Sequence, residues 1–493
     1  VDKLLPWPEA HQLFFLYKRI EHWHIDCATN STGVRFNENY IYPLGDTMRH
    51  TKFALALLTA AVLAACGGNG SSGGDQTLRT KFSAQITFGD SLSDVGTYNV
   101  GTVAALGGGK FNINGNNTAV NPTLTGKNYT ELLAAQFGLP APCPAQTGLD
   151  GLASQGFSVP VVNNVGCYGY AQGGARVSNP IGTSNKATGS ALGALTVPVS
   201  TQIARHLVIN GGKFAADQLV IVMAGGNDVL SLLGDLSAKS TAAGGTAFAT
   251  SLITQLTAGS PNPATAGPAI RTAVLSAAAA AGATTTTIAT AAITAAAQNG
   301  YPGITTTAVS GPIIATAATA ATAAGNKYAA DNGPALVASM GATGAELATM
   351  VKTQLIAKGA NYVVVNNLPD VANTPSGKSQ NASTQALIAA MVDAFNGQLK
   401  AGVAGEAKVL YVDVYSISHD QVGNPGPYGL TNTSTPACGP NKLGTTSLVC
   451  NATNVIAGDV SHYMFADDIH PTPFEYSLLA KYVADQMIIK GWL

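Results

Sequence analysis

From about residue 84 onward the polarity of the chain alternates between short unbroken apolar runs and longer stretches with a helical repeat. The apolar runs fall at residues 86–88, at 219–223 in "QLVIVMAGGND", and within "NYVVVNNLPD" and "KVLYVDV". Each is four or five residues at most and breaks into Gly, Asn, Asp or Pro, which is how a buried strand ends. Between them, residues 129–137, "GAELATMVKTQLIAKGA" and "TQALIAAMVDAFNGQL" repeat their apolar positions at helical spacing. The first of these stops at Gly138, just before Pro140. Strands apolar on both faces, separated by amphipathic helices, predict a parallel sheet covered on both sides. In such a sheet ligands gather at the carboxyl ends of the strands.

One segment departs from this rhythm. Between Arg271 and Lys327 there is no Asp, Glu, Lys or Arg, and the composition is dominated by Ala and Thr, as in "ATAATAATAA" from Ala315. Alanine favours helix and threonine opposes it weakly, so close-packed helices of small residues are expected, joined at residues 300–303. An insertion spanning about 240–345 is predicted, either as a structural elaboration of a surface connection or as a lid or acyl-binding wall beside the site.

Composition narrows the setting. With 46% hydrophobic residues among 493 the chain can bury a sizeable core, while charged residues are only 10% and the formal net charge is -1. No basic footprint exists for a phosphate backbone, so nucleic acid is not an expected partner. From Met48, Arg49 and Lys52 precede an apolar run at 53–65, the layout of a secretory signal and too short to span a bilayer. Its end, Leu63-Ala64-Ala65-Cys66, resembles the lipobox of bacterial lipoproteins, which would make Cys66 a lipidated first residue. The resemblance implies an outer-membrane lipoprotein held by an N-terminal lipid anchor, or a periplasmic or secreted protein if that box is not processed. Residues 66–80 then read as a flexible Gly/Ser-rich tether. Residues 1–47, with eight aromatics, are expected to be upstream translation absent from the mature protein. Four further cysteines, Cys143, Cys167, Cys438 and Cys450, admit three pairings, of which the sequence-near one is preferred for an exported chain.

The chemistry-bearing residues cluster at the predicted strand ends. In "ITFGDSLSD", Ser91 sits where a strand breaks into a turn, and a serine nucleophile needs a base that is itself oriented by a third group. "FADDIHPTPFEY" offers Asp467 three residues before His470. Pro471 holds His470 extended, and Thr472, Pro473 and Glu475 read as N-cap, first-turn proline and capping-box acid of a helix. Asp459 and His462 have the same spacing without the proline or the cap, and neither His206 nor His419 has such support. Donors for a developing oxyanion, worth about 3 kcal/mol each, would be Gly174 in "YAQGGARV" and Asn227 in "GGND". A Gly-x-Ser-x-Gly pattern at 70–74 lies in the tether with no strand before it and is taken as chance. No HExxH and no Cys/His ligand cluster appears, so neither metal nor cofactor is expected.

Taken in order, Ser91, Gly174, Asn227 and His470 with their surrounding blocks resemble the GDSL branch of the SGNH hydrolases, from about residue 84 to the C-terminus. That resemblance implies a three-layer α/β/α, flavodoxin-like fold over residues 81–493, with a parallel sheet of about five strands and the Ala/Thr-rich helical insertion. It implies a carboxylester hydrolase, lipase- or lysophospholipase-like, working through Ser91, His470 and Asp467 and an acyl-enzyme on an ester or lipid substrate, with the Ser91 amide joining Gly174 and Asn227 as oxyanion donors. Two other readings are an acetyl-carbohydrate esterase on the same fold and a non-catalytic lipid-tethered surface protein. One departure is Gly169, where many relatives carry Asn at the start of the second block.

Overall fold

The computed structural model of the protein describes residues 80–115 and 126–493. The expected upstream region, the apolar run at 53–65, Cys66 and the tether as far as residue 79 lie outside the described residues.

Four parallel strands make the central sheet: β1 (Gln85–Gly89), β4 (Leu219–Met223), β5 (Tyr362–Asn366) and β6 (Val409–Val412), side by side in the order β1-β4-β5-β6. Register is simple, with Ile86 opposite Val220 and Val220 opposite Val363. Because side chains alternate faces along a strand, each strand feeds two cores. Ile86, Phe88, Val220, Val222, Val363 and Val365 pack on one side. There they meet Ile203 of α2 (Val199–Ile209), Leu347 of α6 (Thr307–Met350) and Phe395 of α7 (Ala382–Val403). Leu219, Ile221, Met223, Val364, Leu410 and Val412 pack on the other. Their partners are Leu133 of α1 (Tyr129–Gln136) and Tyr476 and Val483 of α8 (Pro473–Ile489). Burial on both faces explains why these runs lack a polar alternation, and each such side chain contributes roughly 1.5–3 kcal/mol.

About five strands were expected and four form. A fifth stretch, residues 168–172, runs beside β1: Thr87 N–H donates to Tyr168 O at 3.0 Å and Tyr170 N–H to Thr87 O at 2.8 Å. It brackets Thr87 and adds Gln172 N–H to Gly89 O at 3.1 Å, while on its other edge Gly169 N–H donates to Cys143 O and Ala145 N–H to Gly169 O. A side chain at 169 would put its Cβ 2.6 Å from Val95 and 2.8 Å from Cys143 O, so glycine suits this position and backbone bonds hold the loop. The neighbouring disulfide Cys143–Cys167 and the second, Cys438–Cys450, are the sequence-near pairs. A hairpin of β2 (Gln146–Asp150) and β3 (Ser158–Asn163) was not foreseen; β3 is mostly exposed and carries a proline, a weak strand signal.

The insertion is entirely helical. α3 (Gly226–Ala258) leaves the end of β4, α4 (Pro263–Ala279) and α5 (Thr285–Gln298) follow, and α6 returns to β5. Gly244 of α3 sits where a Cβ would be 2.9 Å from Ala321 O of α6, so small residues let the two long helices touch. Phe248, Leu252, Ile270, Val274, Ala292 and Ile304 form a core of their own, separate from those of the sheet. The threonines are tolerated because their hydroxyls donate to the carbonyl one turn back, as in Thr316 to Pro312 and Thr319 to Ala315.

Candidate active site

Ser91 opens a 3-10 turn, Ser91–Ser93, directly after β1, and Asp90 caps it by accepting Leu92 N–H at 3.1 Å. Burial pushes the Asp90 carboxyl up to about 7 against that bond and the nearby His470 ring. Ser93 points away from the site, its hydroxyl 2.9 Å from that of Tyr129 in the core. Only Ser91, 8% exposed, reaches the cavity.

Asp467 and His470 come from a tight loop that Ala466 N–H closes onto His470 O at 2.7 Å. Asp467 accepts three backbone N–H groups, from Ser447 at 2.7 Å, Ile469 at 3.0 Å and His470 at 2.7 Å. Its Oδ2 and Oδ1 stand 2.8 and 2.9 Å from His470 Nδ1. Burial works to raise the Asp467 carboxyl, but the His470 ring and these donors outweigh it and hold the group well below the usual carboxylate range. The other ring nitrogen, Nε2, lies 2.8 Å from Ser91 Oγ. Phe111 packs on the imidazole at 4.8 Å between ring centroids, limiting its rotation. Residues from opposite ends of the sequence thus meet in one chain of contacts.

Gly174 and Asn227 line the same cavity. Ala175 N–H donates to Gln172 O, closing a turn in which Gly174 takes φ +80, a conformation that suits glycine. Asn227 stands in the first turn of α3 and donates one amide hydrogen to Ala175 O at 3.0 Å, leaving the other free. Two carboxylates missed in the sequence tie these pieces together. Asp94 accepts N–H from Gly96 at 2.9 Å, Thr97 at 2.8 Å and Gly173 at 2.9 Å, which links the Ser91 turn to the Gly174 loop. Burial pushes Asp94 up to about 6 despite these donors. Asp228 accepts Arg176 Nε at 2.8 Å and Val177 N–H at 3.0 Å, which links the Asn227 turn to the same loop. The only hint in the sequence is that both acids stand inside blocks already singled out.

The other three histidines among the described residues are elsewhere. His462 stacks on Phe474 at 4.2 Å, and Asp459 accepts Ser461 N–H. His206 is fully buried against Phe214 and Tyr170. His419, expected to lack support, has a carboxylate partner after all: Nδ1 is 2.6 Å from Asp370 Oδ2, though the ring faces mostly solvent. Those two are 49 residues apart, so spacing alone could not pair them.

The site opens on a cavity of about 770 Å³. Its apolar lining includes Phe157, Leu192, Leu448, Leu368, Ile417 and Phe465. No residue between 231 and 367 lines it, so the insertion forms no wall of this cavity and the structural alternative fits better than the lid. Among the described residues, no group of three or more His, Cys, Asp or Glu side chains is placed to hold a metal ion.

Fold and site together define a parallel α/β protein with a Ser–His–Asp contact chain at the carboxyl edge of its sheet. Residues 314–483, about a third of the chain, match the family of GDSL-like Lipase/Acylhydrolase. That stretch contains Asp467 and His470 but begins after Ser91, Gly174 and Asn227. The chain is similar to GDSL esterase/lipase At1g58430 of Arabidopsis thaliana, 34% identical over 96 residues, which is 20% of this chain and 26% of that protein. It is also similar to GDSL esterase/lipase APG of the same plant, 27% identical over 143 residues, 27% of this chain and 40% of that one. The chain thus spans about a quarter of the first of these relatives and less than half of the second.

Proposed function

We propose that the protein is a serine carboxylester hydrolase of the GDSL type. The observation that carries this reading is the unbroken contact from Asp467 through His470 to Ser91, at 2.8 Å on each side of the ring, facing a large and mostly apolar cavity. His470 Nε2 takes the Ser91 proton as Oγ attacks the ester carbonyl, and Asp467 stabilises the imidazolium that forms. The Ser91 amide, the Gly174 amide and the free amide hydrogen of Asn227 receive the oxyanion. His470 then returns the proton to the leaving alcohol, and water releases the acid by the same route. Apolar lining favours an acyl chain, as in a lipase or lysophospholipase, over an acetylated sugar. It also gives a non-catalytic surface protein little reason to keep the contact chain.

Ser91→Ala is expected to remove hydrolysis of p-nitrophenyl esters and labelling by a serine-directed phosphonate. Labelling that survives would assign the nucleophile to another serine and end this reading.

Export and anchoring are part of the same proposal: Cys66 carries lipid at the bacterial outer membrane. The apolar run ending in Leu63-Ala64-Ala65-Cys66 supports this, and two disulfides fit an oxidising compartment. Metabolic labelling with an alkynyl fatty acid should mark the wild type and not Cys66→Ala; equal labelling of both would refute the anchor.

A further inference from the structure

The Gly174 N–H, one of the three oxyanion donors, belongs to the same peptide unit as the Gly173 carbonyl. That peptide is trans, like all those among the described residues, so the two groups point in opposite directions. Whatever holds the Gly173 oxygen therefore aims the Gly174 N–H. Among the described residues this N–H has no acceptor of its own, and Gly174 lines the cavity. The oxygen, in contrast, is held by a residue outside the cavity wall: the Tyr98 hydroxyl donates to it at 2.7 Å. Tyr98 is fully buried, and burial together with the nearby Asp94 holds its hydroxyl well above the ordinary tyrosine range, so it keeps its proton.

Tyr98 is held in turn. Thr196 N–H donates to its hydroxyl oxygen at 3.3 Å, which leaves the phenol proton for Gly173. Thr196 does this at φ +50, a left-handed conformation that is costly for a β-branched residue. Among the described residues other than glycine, only Ser184 of the same loop also has a positive φ. Strain of this kind persists where the surroundings over-determine it, and it gathers at functional sites. Three bonds fix Thr196: its Oγ1 donates to Pro180 O at 2.9 Å and accepts from Asn185 Nδ2 at 2.8 Å and from Gly182 N–H at 3.4 Å. The loop also reaches the donor itself, since a Cβ at Gly174 would lie 2.8 Å from Thr196 Cγ2.

We propose that Tyr98 and Thr196 are positioning residues for the oxyanion donor: the run from Thr196 N–H through the Tyr98 hydroxyl to the Gly173 carbonyl fixes the plane of the Gly173–Gly174 peptide and strengthens its free N–H. Successive hydrogen bonds polarise one another, so a carbonyl that accepts makes the N–H across its peptide a better donor. The benefit falls on the transition state, because negative charge reaches that N–H only as Ser91 adds to the ester carbonyl. The inference rests on the ester-hydrolase reading, with Gly174 as a donor within it.

Tyr98→Phe in the full-length protein removes the hydroxyl and keeps the ring, which packs edge-on against Phe111 at 6.2 Å. Losing an oxyanion donor outright costs about a hundredfold or more in kcat, so misaiming one is expected to cost at least about fivefold on p-nitrophenyl esters, with KM within about twofold. Affinity for an alkyl boronic acid, which adds to the serine as a tetrahedral anion, should weaken with kcat. A smaller fall in kcat, or an unchanged boronate affinity, overturns the proposal. If Tyr98→Phe does not fold, Thr196→Ala and Thr196→Ser decide. The alanine variant is expected to lose at least about threefold in kcat at constant KM, and the serine variant, which keeps all three hydroxyl bonds, to recover it. Equal rates in the two overturn the proposal. Wild type that leaves the esters intact ends the hydrolase reading itself, whereas an active wild type matched by Tyr98→Phe ends this inference alone.

Discussion

Ser91 and Ser93 carry the same hydroxyl two positions apart, and only the first meets an imidazole. The second faces Tyr129 because successive residues of a 3-10 turn point about a third of a rotation apart. The same contrast runs through the histidines. His470 is held by a carboxylate and meets a hydroxyl, whereas His206 lies in an aromatic box, 4.5 Å from the Phe214 ring, and burial pushes it down to about 4. Between about pH 4 and its ordinary value near 6.5 the unfolded chain protonates this ring and the folded one does not. Folding is therefore unpenalised above about pH 6.5 and loses stability as pH falls toward 4, by roughly 3 kcal/mol. His206→Phe should flatten the fall in melting temperature between pH 7 and pH 4.5; parallel curves for variant and wild type would rule this out. At this scale the sequence marked which His had a nearby acid and a proline behind it. It could not show that Asp94 and Asp228 tie loops together, because their partners, Gly173 and Arg176, are distant in the chain.

Elements were legible where local signals agree. The α8 start carries its threonine cap and first-turn proline as expected, since both act within one turn. Glu475 departs from its expected role because Met464 O, brought in by the neighbouring loop, takes the N–H that it would have bound. The Ala/Thr helices show the limit of composition as a guide to purpose. Their core is complete within residues 248–317 and no part of it touches the cavity. Gly244 already meets Ala321, so the two long helices can be joined there. Replacing residues 246–319 with a short glycine-rich turn is expected to leave kcat/KM on p-nitrophenyl esters within about threefold. More than a tenfold loss from a folded variant would restore the lid.

Over the whole molecule, the sheet order and the flanking fifth stretch place the ends of β1 and β4 next to one another. The helix after β1, α1, packs on one face and α6 of the connection after β4 on the other, which opens a crevice of the kind where ligands gather in such sheets. The layer arrangement could be read from the chain, because unbroken apolar strands of this length are stable only between two covering layers. So could the residue types and local geometry of the candidate site, down to the Asp467–His470 pair, since these depend on turns, caps and proline over a few residues. The meeting of Ser91 with His470, the pairing of Asp370 with His419, and the loss of the Glu475 half of its capping box were decided by tertiary structure. They join residues tens to hundreds of positions apart, or hang on which of two acceptors reaches an N–H first, and packing of the assembled layers settles both.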